Sequence, residues 1–162
     1  MSTSLRTDLY ELTMATSYLR RGMDQPATFS LSVRALPPER GFLVANGVEG
    51  CLAWLEELAF GPEDLAYLAS AGFAPGDLAL LEGLRFTGDV WAVPEGTIVV
   101  ADEPLLEVTA PLPEAQLVET FLLNQVTYQT ALASKAARCV LAAAGRIDLV
   151  EFGLRRTFGV EA

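Results

Sequence analysis

Among the 162 residues there is no histidine. That removes the commonest general acid–base and the commonest metal ligand, so proton chemistry falls to carboxylates or to groups outside the sequence. Cysteine is scarce. Cys51 and Cys139 stand far apart in the apolar helical runs GVEGCLAWLEEL and AARCVLAAAG, a placement that predicts small buried hydrophobes and neither a disulfide framework nor a metal cluster. Basic residues number 11 against 21 acids, and the resulting charge of −10 argues against a nucleic-acid partner, because such binding depends on Lys and Arg neutralising phosphates. No apolar stretch reaches the ~18 uninterrupted residues of a membrane span, and MSTSLRTDLYELTM lacks the apolar core of a secretory signal. The expectation is a cytoplasmic protein that binds neither membrane nor nucleic acid.

What is present suits a folded chain. Apolar residues make up 51% and charged residues 20%, and the length allows one domain, or one domain and the start of another. The arginines are uneven: Arg138, Arg146, Arg155 and Arg156 crowd the last quarter, while acids dominate residues 49–119. Anions would therefore bind at the tail.

Leu9, Leu12, Thr16 and Leu19 recur at helical spacing within 8–22, with Asp8 and Glu11 offering a capping pair and Gly22 a stop. Residues 27–36 alternate Phe29, Leu31 and Val33 with polar neighbours, the period of a half-buried strand. A helix is predicted from Val44 to Leu58 and another over GPEDLAYLASAG, where Pro62 stands in the first turn. Residues 86–112 read as a compact set of hairpin-like strands punctuated by Gly88, Pro94, Gly96, Pro104 and Pro111. From Glu114 to about Ala144 the pattern is helical, closed by Gly145. RIDLVEF (146–152) then reads as a buried parallel strand, half of a βα repeat without a partner, and on that ground the chain is expected to be part of a longer one.

The C-terminal end of a parallel strand is where α/β proteins bind ligands, and Phe152, Gly153, Arg155 and Arg156 would stand there. Guanidinium groups suit phosphate or carboxylate, and an aromatic ring offers a face for stacking. The alternative reading makes Phe152 a core residue and leaves the arginines solvated or paired with Glu151 and Glu161. Tyr10 poses the same choice between ligand contact and interfacial residue. Lys135 and Arg138 read as a solvated helix face or as reaching the helix's C-terminal carbonyls, and Trp54 and Trp91 as core anchors.

TDLYELTM (7–14), FSLSVRALPPERGFLVANGVE (29–49), FTGDVWAVPEGTIVVADEPLLEVTAPLPEAQLVET (86–120), LLNQVTYQTALASKAAR (122–138) and VEFGLRRTFG (150–159), in this order, resemble nicotinate phosphoribosyltransferase over nearly the whole chain. The run PLLEVTAP…EAQLVETFLLN also resembles the quinolinate phosphoribosyltransferases of related fold. The resemblance implies an α/β protein: an α+β N-terminal domain (1–112), then the long helix and first strand (113–162) of an incomplete α/β barrel. It implies transfer of a phosphoribosyl group from 5-phosphoribosyl 1-pyrophosphate to nicotinate in NAD biosynthesis, coupled to ATP hydrolysis with Mg2+, by a homodimer. By the same resemblance Phe152 matches the aromatic on which the pyridine ring stacks, and Tyr10 matches the tyrosine that closes the ring's other face from a neighbouring subunit. Arg155, with Arg156 beside it, faces phosphoribosyl or pyrophosphate oxygens. Phe158 stands where bacterial relatives usually carry histidine. The family's phosphorylated histidine and its phosphate loops have no counterpart here, so no catalytic residue is assigned, and a fragment with no chemistry of its own is expected. A shortened, non-catalytic relative acting as a binding or dimerisation module is the alternative.

Overall fold

The structure is a computed structural model that describes residues 3–157. Phe158 and the rest of the tail lie outside the described residues.

Helix α1 (Leu9–Arg20) is followed by strand β1 (Pro26–Ser32), a two-residue strand β2 (Leu43–Val44) and helices α2 (Val48–Glu57), α3 (Pro62–Ser70) and α4 (Pro75–Glu82). Strands β3 (Asp89–Ala92), β4 (Ile98–Val99) and β5 (Pro104–Pro111) come next, then helices α5 (Leu112–Leu117) and α6 (Glu119–Ala143). This is an α+β arrangement, as the sequence implies. Pro62 opens α3 at the position where a missing N–H costs nothing, and the buried Asp64 accepts a hydrogen bond from the Gly61 N–H at 3.0 Å.

The larger sheet has the order β1-β5-β3, antiparallel throughout, with Phe29 opposite Val108 and Trp91 opposite Glu107. β5 is central because its alternate residues Leu106, Val108 and Ala110 are buried, while Glu107 and Thr109 face outward and bond Ser30 at 2.6 Å and Thr28 at 2.8 Å. Within 86–112, β3 and β5 pair directly as antiparallel neighbours, as a hairpin-like set requires, but β4 leaves to pair with β2. α5 and α6 close the core from the other side, with Leu117, Phe121, Leu122 and Val126 buried and the Phe121 ring stacked on Trp54 of α2 at 4.2 Å.

The second, minimal sheet survives because a helix finishes it. Leu122, Val126, Thr130 and Ser134 form one i,i+4 ridge of α6, and its last two members are polar. Thr130 Oγ1 accepts the Asn46 N–H at 3.1 Å, and Ser134 Oγ accepts the Val44 N–H at 2.8 Å. Two hydroxyls thereby stand in for a missing neighbour strand. Val44 is accordingly strand, and the predicted helix starts only after Gly47, whose φ of 100° requires glycine. A Cβ at Gly47 would also lie 2.8 Å from the Gln125 carbonyl oxygen on α6. Gly47→Ala is expected to lower unfolding free energy by roughly 2–4 kcal/mol, from backbone strain plus the clash; urea unfolding would read it as a lower midpoint at unchanged slope.

The predicted single helix 114–144 is two helices, broken at Val118. In an unbroken helix the Thr120 N–H would serve the Gln116 carbonyl; here it goes to the Glu11 side chain at 3.0 Å. A side chain inserted into the ladder is a sufficient cause of the break. Other expectations also change. Leu9 lies on the exposed side of α1, and Phe29 is partly exposed on β1. Trp91 is no core anchor: it is 73% exposed, on the outer face of edge strand β3. Cys51 is buried, its thiol pushed up to about 12 by burial and then by Glu95, but Cys139 is exposed. Leu132 and Val140 are exposed on α6 as well. Residues 146–152 form no strand. No strand among the described residues runs beside them, and Ile147, Leu149, Val150 and Phe152 lie exposed.

Candidate functional site

The first turns of α1 and α6 meet, and their polar groups converge on Glu11. This residue is fully buried although it is ionisable. Its Oε1 accepts the Thr120 N–H at 3.0 Å, the Thr120 hydroxyl at 2.8 Å and the Tyr10 hydroxyl at 3.3 Å, while its Oε2 accepts the Thr7 hydroxyl. Asp8, at the N-cap of α1, makes no side-chain cap bond, so the capping pair expected with Glu11 does not form. Glu11 instead caps a different helix, α6.

The Tyr10 ring stands about half exposed beside this knot. Its hydroxyl lies 3.5 Å from Glu119 Oε2, which also receives the Gln116 side-chain amide at 3.3 Å. Partial burial first, then Glu11, Glu119 and Asp8, raise the phenol above its ordinary ionisation range. Two open concavities flank the first turn of α6. One, of about 480 Å³, is lined by polar groups that include Arg6, Asp8, Asn124 and Gln125. The other, of about 410 Å³, lies against β1 with Phe29, Leu31 and Leu122 as its apolar walls and Arg34 and Glu119 among its charged ones.

Burial raises the Glu11 carboxyl above the ordinary value of 4.5, against the lowering effect of its Thr7 and Thr120 bonds, and Glu119 raises it further. The folded chain therefore holds the Glu11 proton more tightly than the unfolded chain. The associated stability is complete below 4.5 and is lost as pH rises through the higher folded value. Because glutamine does not titrate, the stability of Glu11→Gln relative to wild type should improve from about pH 4 to about pH 7. Urea midpoints at several pH values check this; a constant difference would rule out linkage between Glu11 and folding.

The predicted tail residues lie elsewhere. Phe152 is 76% exposed, and Arg155 and Arg156 sit in an exposed 3-10 turn, Leu154–Arg156, whose Arg156 N–H bonds the Gly153 carbonyl at 2.7 Å. They follow the far end of α6, whose 25 residues span roughly 37 Å at 1.5 Å each. Tyr10 stands at its near end, and no hydrogen bond or ion pair among the described residues joins the tail to α1. The structure thus keeps Tyr10 apart from Phe152, Arg155 and Arg156. Glu11, Glu119 and Thr120 are additions that the sequence reading missed. Glu11 was visible in principle, because it shares the buried stripe of α1 with Leu12, Ala15 and Thr16. Arg138, read as solvated, buries one guanidinium nitrogen. No group of three Cys, Asp or Glu side chains among the described residues could hold a metal, and no helix among them is long and apolar enough to cross a membrane.

Residues 5–127 match the family model of the nicotinate phosphoribosyltransferase N-terminal domain. The chain is 49% identical over 160 residues to nicotinate phosphoribosyltransferase pncB2 of Mycobacterium tuberculosis, covering 98% of this chain and 34% of that protein. It is 44% identical to nicotinate phosphoribosyltransferase of Bacillus subtilis, over 99% of this chain and 33% of the relative. The crystal structure of human nicotinic acid phosphoribosyltransferase superposes with a TM-score of 0.82 at 37% identity, covering 94% of this chain and 32% of that one. Nicotinate-nucleotide pyrophosphorylase from Pyrococcus furiosus, at 22% identity and a TM-score of 0.70 over 93% of this chain and 31% of that one, shares the fold. The chain spans about a third of the length of the curated relatives it matches. It belongs to the nicotinate phosphoribosyltransferase family, whose N-terminal domain it contains.

Proposed function

We propose that this chain is the N-terminal part of an enzyme that joins nicotinate to 5-phosphoribosyl 1-pyrophosphate, forming nicotinate mononucleotide and pyrophosphate for NAD biosynthesis. The observation that carries the reading is the 49% identity over 160 residues to a curated nicotinate phosphoribosyltransferase. In this reading the protein is a cytoplasmic homodimer. Tyr10 covers one face of the pyridine ring, and Phe152 with Arg155 and Arg156 of the neighbouring subunit holds the other face and the phosphate oxygens. The separation of Tyr10 from the tail along α6 supports a site shared between two subunits. ATP hydrolysis and Mg2+ belong to the same proposal, and their sites would lie outside the described residues, among which no metal cluster occurs.

The test uses the protein made from the complete reading frame, with pyrophosphate release and nicotinate mononucleotide formation as readouts. Tyr10→Ala should raise KM for nicotinate about tenfold with a smaller effect on kcat, the size of one lost stacking partner. A reading frame ending at codon 162, whose product forms no nucleotide yet binds a protein partner, would favour a non-catalytic module instead.

A further inference from the structure

The proposed function gives Tyr10 a role and leaves Glu11 unexplained. Burying a carboxylate costs several kcal/mol unless donors satisfy it. Glu11 has such donors, yet the one ion pair among the described residues is Arg20–Asp77, so no cation neutralises it. A neutral side chain would fill the space with less penalty. What the carboxylate adds is an acceptor for the Tyr10 hydroxyl, and that contact is not a default of helix geometry, since neighbouring residues on a helix point to different faces. It forms because Thr120 draws Glu11 inward to α6 while Thr7, just ahead of α1, holds the other carboxyl oxygen, and because Glu119, steadied by Gln116, closes the opposite side of the hydroxyl. One phenolic proton faces two carboxylates held by two different helices.

We propose that Glu11 is a positioning residue for Tyr10: anchored to the first turn of α6 by Thr120 and held from its own segment by Thr7, it fixes the tyrosine hydroxyl between itself and Glu119, so that the residue offers its ring outward. This rests on the reading in which the Tyr10 ring covers nicotinate. The hydroxyl is engaged by the protein, so Tyr10 contributes a π face and no hydrogen-bond donor to the ligand, and the α1–α6 junction sets the angle of that face. The ionisable groups around the phenol are Asp8 and Glu11 on the α1 side and Glu119 on α6.

The experiment needs no substrate. The 162-residue chain is labelled with 13C in its four tyrosine rings, and the Tyr10 signal is assigned by its loss in Tyr10→Phe. In Glu11→Gln the Tyr10 signal should shift at neutral pH and its phenol titration midpoint should fall by roughly 0.5–1 unit, the effect of one unit charge at ~4 Å in water-like surroundings. The other three tyrosines should stay in place, and Glu11→Asp should restore part of the shift. A folded Glu11→Gln with an unmoved Tyr10 signal and midpoint overturns the proposal. Should that variant fail to fold, Thr7→Val loosens the same carboxylate without removing it, and an unmoved Tyr10 signal there overturns the proposal equally. A Tyr10 that Glu11 holds, but whose loss leaves KM for nicotinate unchanged in the complete enzyme, would overturn only the functional reading.

Discussion

Backbone amides in the second half of α6 and in the tail, residues 136–157, should exchange with solvent roughly 100-fold or more faster than those of β5 and of the first half of α6, residues 119–130. The two halves of this helix differ in what they touch. Phe121, Leu122, Val126 and Thr130 are buried, on a helix whose neighbours are α2 and β2. Beyond Ser134 the apolar positions meet solvent: Val140 is 60% exposed and Leu141 66%. An isolated helix of a dozen residues is marginal in water, so a segment without tertiary contacts opens locally at little free-energy cost. Ala143 is buried, and Ala144 caps the helix in the left-handed conformation, but neither brings a neighbouring element to the exposed face. The exposed surface continues through Ile147, Leu149, Val150, Phe152 and Leu154. Such a contiguous apolar surface suits contact with further polypeptide, a second copy or self-association. Equally slow exchange in both segments would show that this chain stabilises its own tail.

The loose segment begins only beyond Ser134, because the i,i+4 ridge that begins at Leu122 is core-facing down to that residue. That ridge was legible in the alternation of helical spacing, but its two hydroxyls were not, since nothing in a single sequence announces that Thr130 and Ser134 complete a two-residue strand 84 to 90 positions earlier. Amphipathic α1 and the Pro62 start of α3 followed from local signals whose physics is local. α4 was overlooked despite its Pro75 start, since both faces of PGDLALLE carry apolar residues and no clear period emerges. The strands of 86–112 were recognisable as strands, whereas their pairing depended on β1 and β2, far away in the chain. RIDLVEF carries the composition of a buried strand but forms none, because a strand is a property of a pair.

At the candidate site the sequence singled out Tyr10 and missed the residue beside it. A glutamate three positions into a helix ordinarily reads as a cap for its own first turn. Glu11 caps the first turn of α6 across the α1–α6 contact, and breaks the predicted long helix in doing so. The cap and the helix break thus have one cause, which lies between elements 109 residues apart.

On the proposed reading this chain supplies Tyr10, Phe152 and the tail arginines to a nicotinate site and is expected to form no nucleotide by itself. Stabilising a ribosyl cation and a departing pyrophosphate requires several convergent donors held in place, worth many orders of magnitude in rate together. Here the arginines of the tail are exposed, and no hydrogen bond or ion pair among the described residues joins them to Tyr10. The most direct measurement gives the purified 162-residue chain nicotinate, 5-phosphoribosyl 1-pyrophosphate, ATP and Mg2+, and quantifies nicotinate mononucleotide by chromatography beside the product of the complete reading frame. The complete protein should form nucleotide, and the chain alone none above the uncatalysed rate. Catalytic turnover by the 162-residue chain would contradict it.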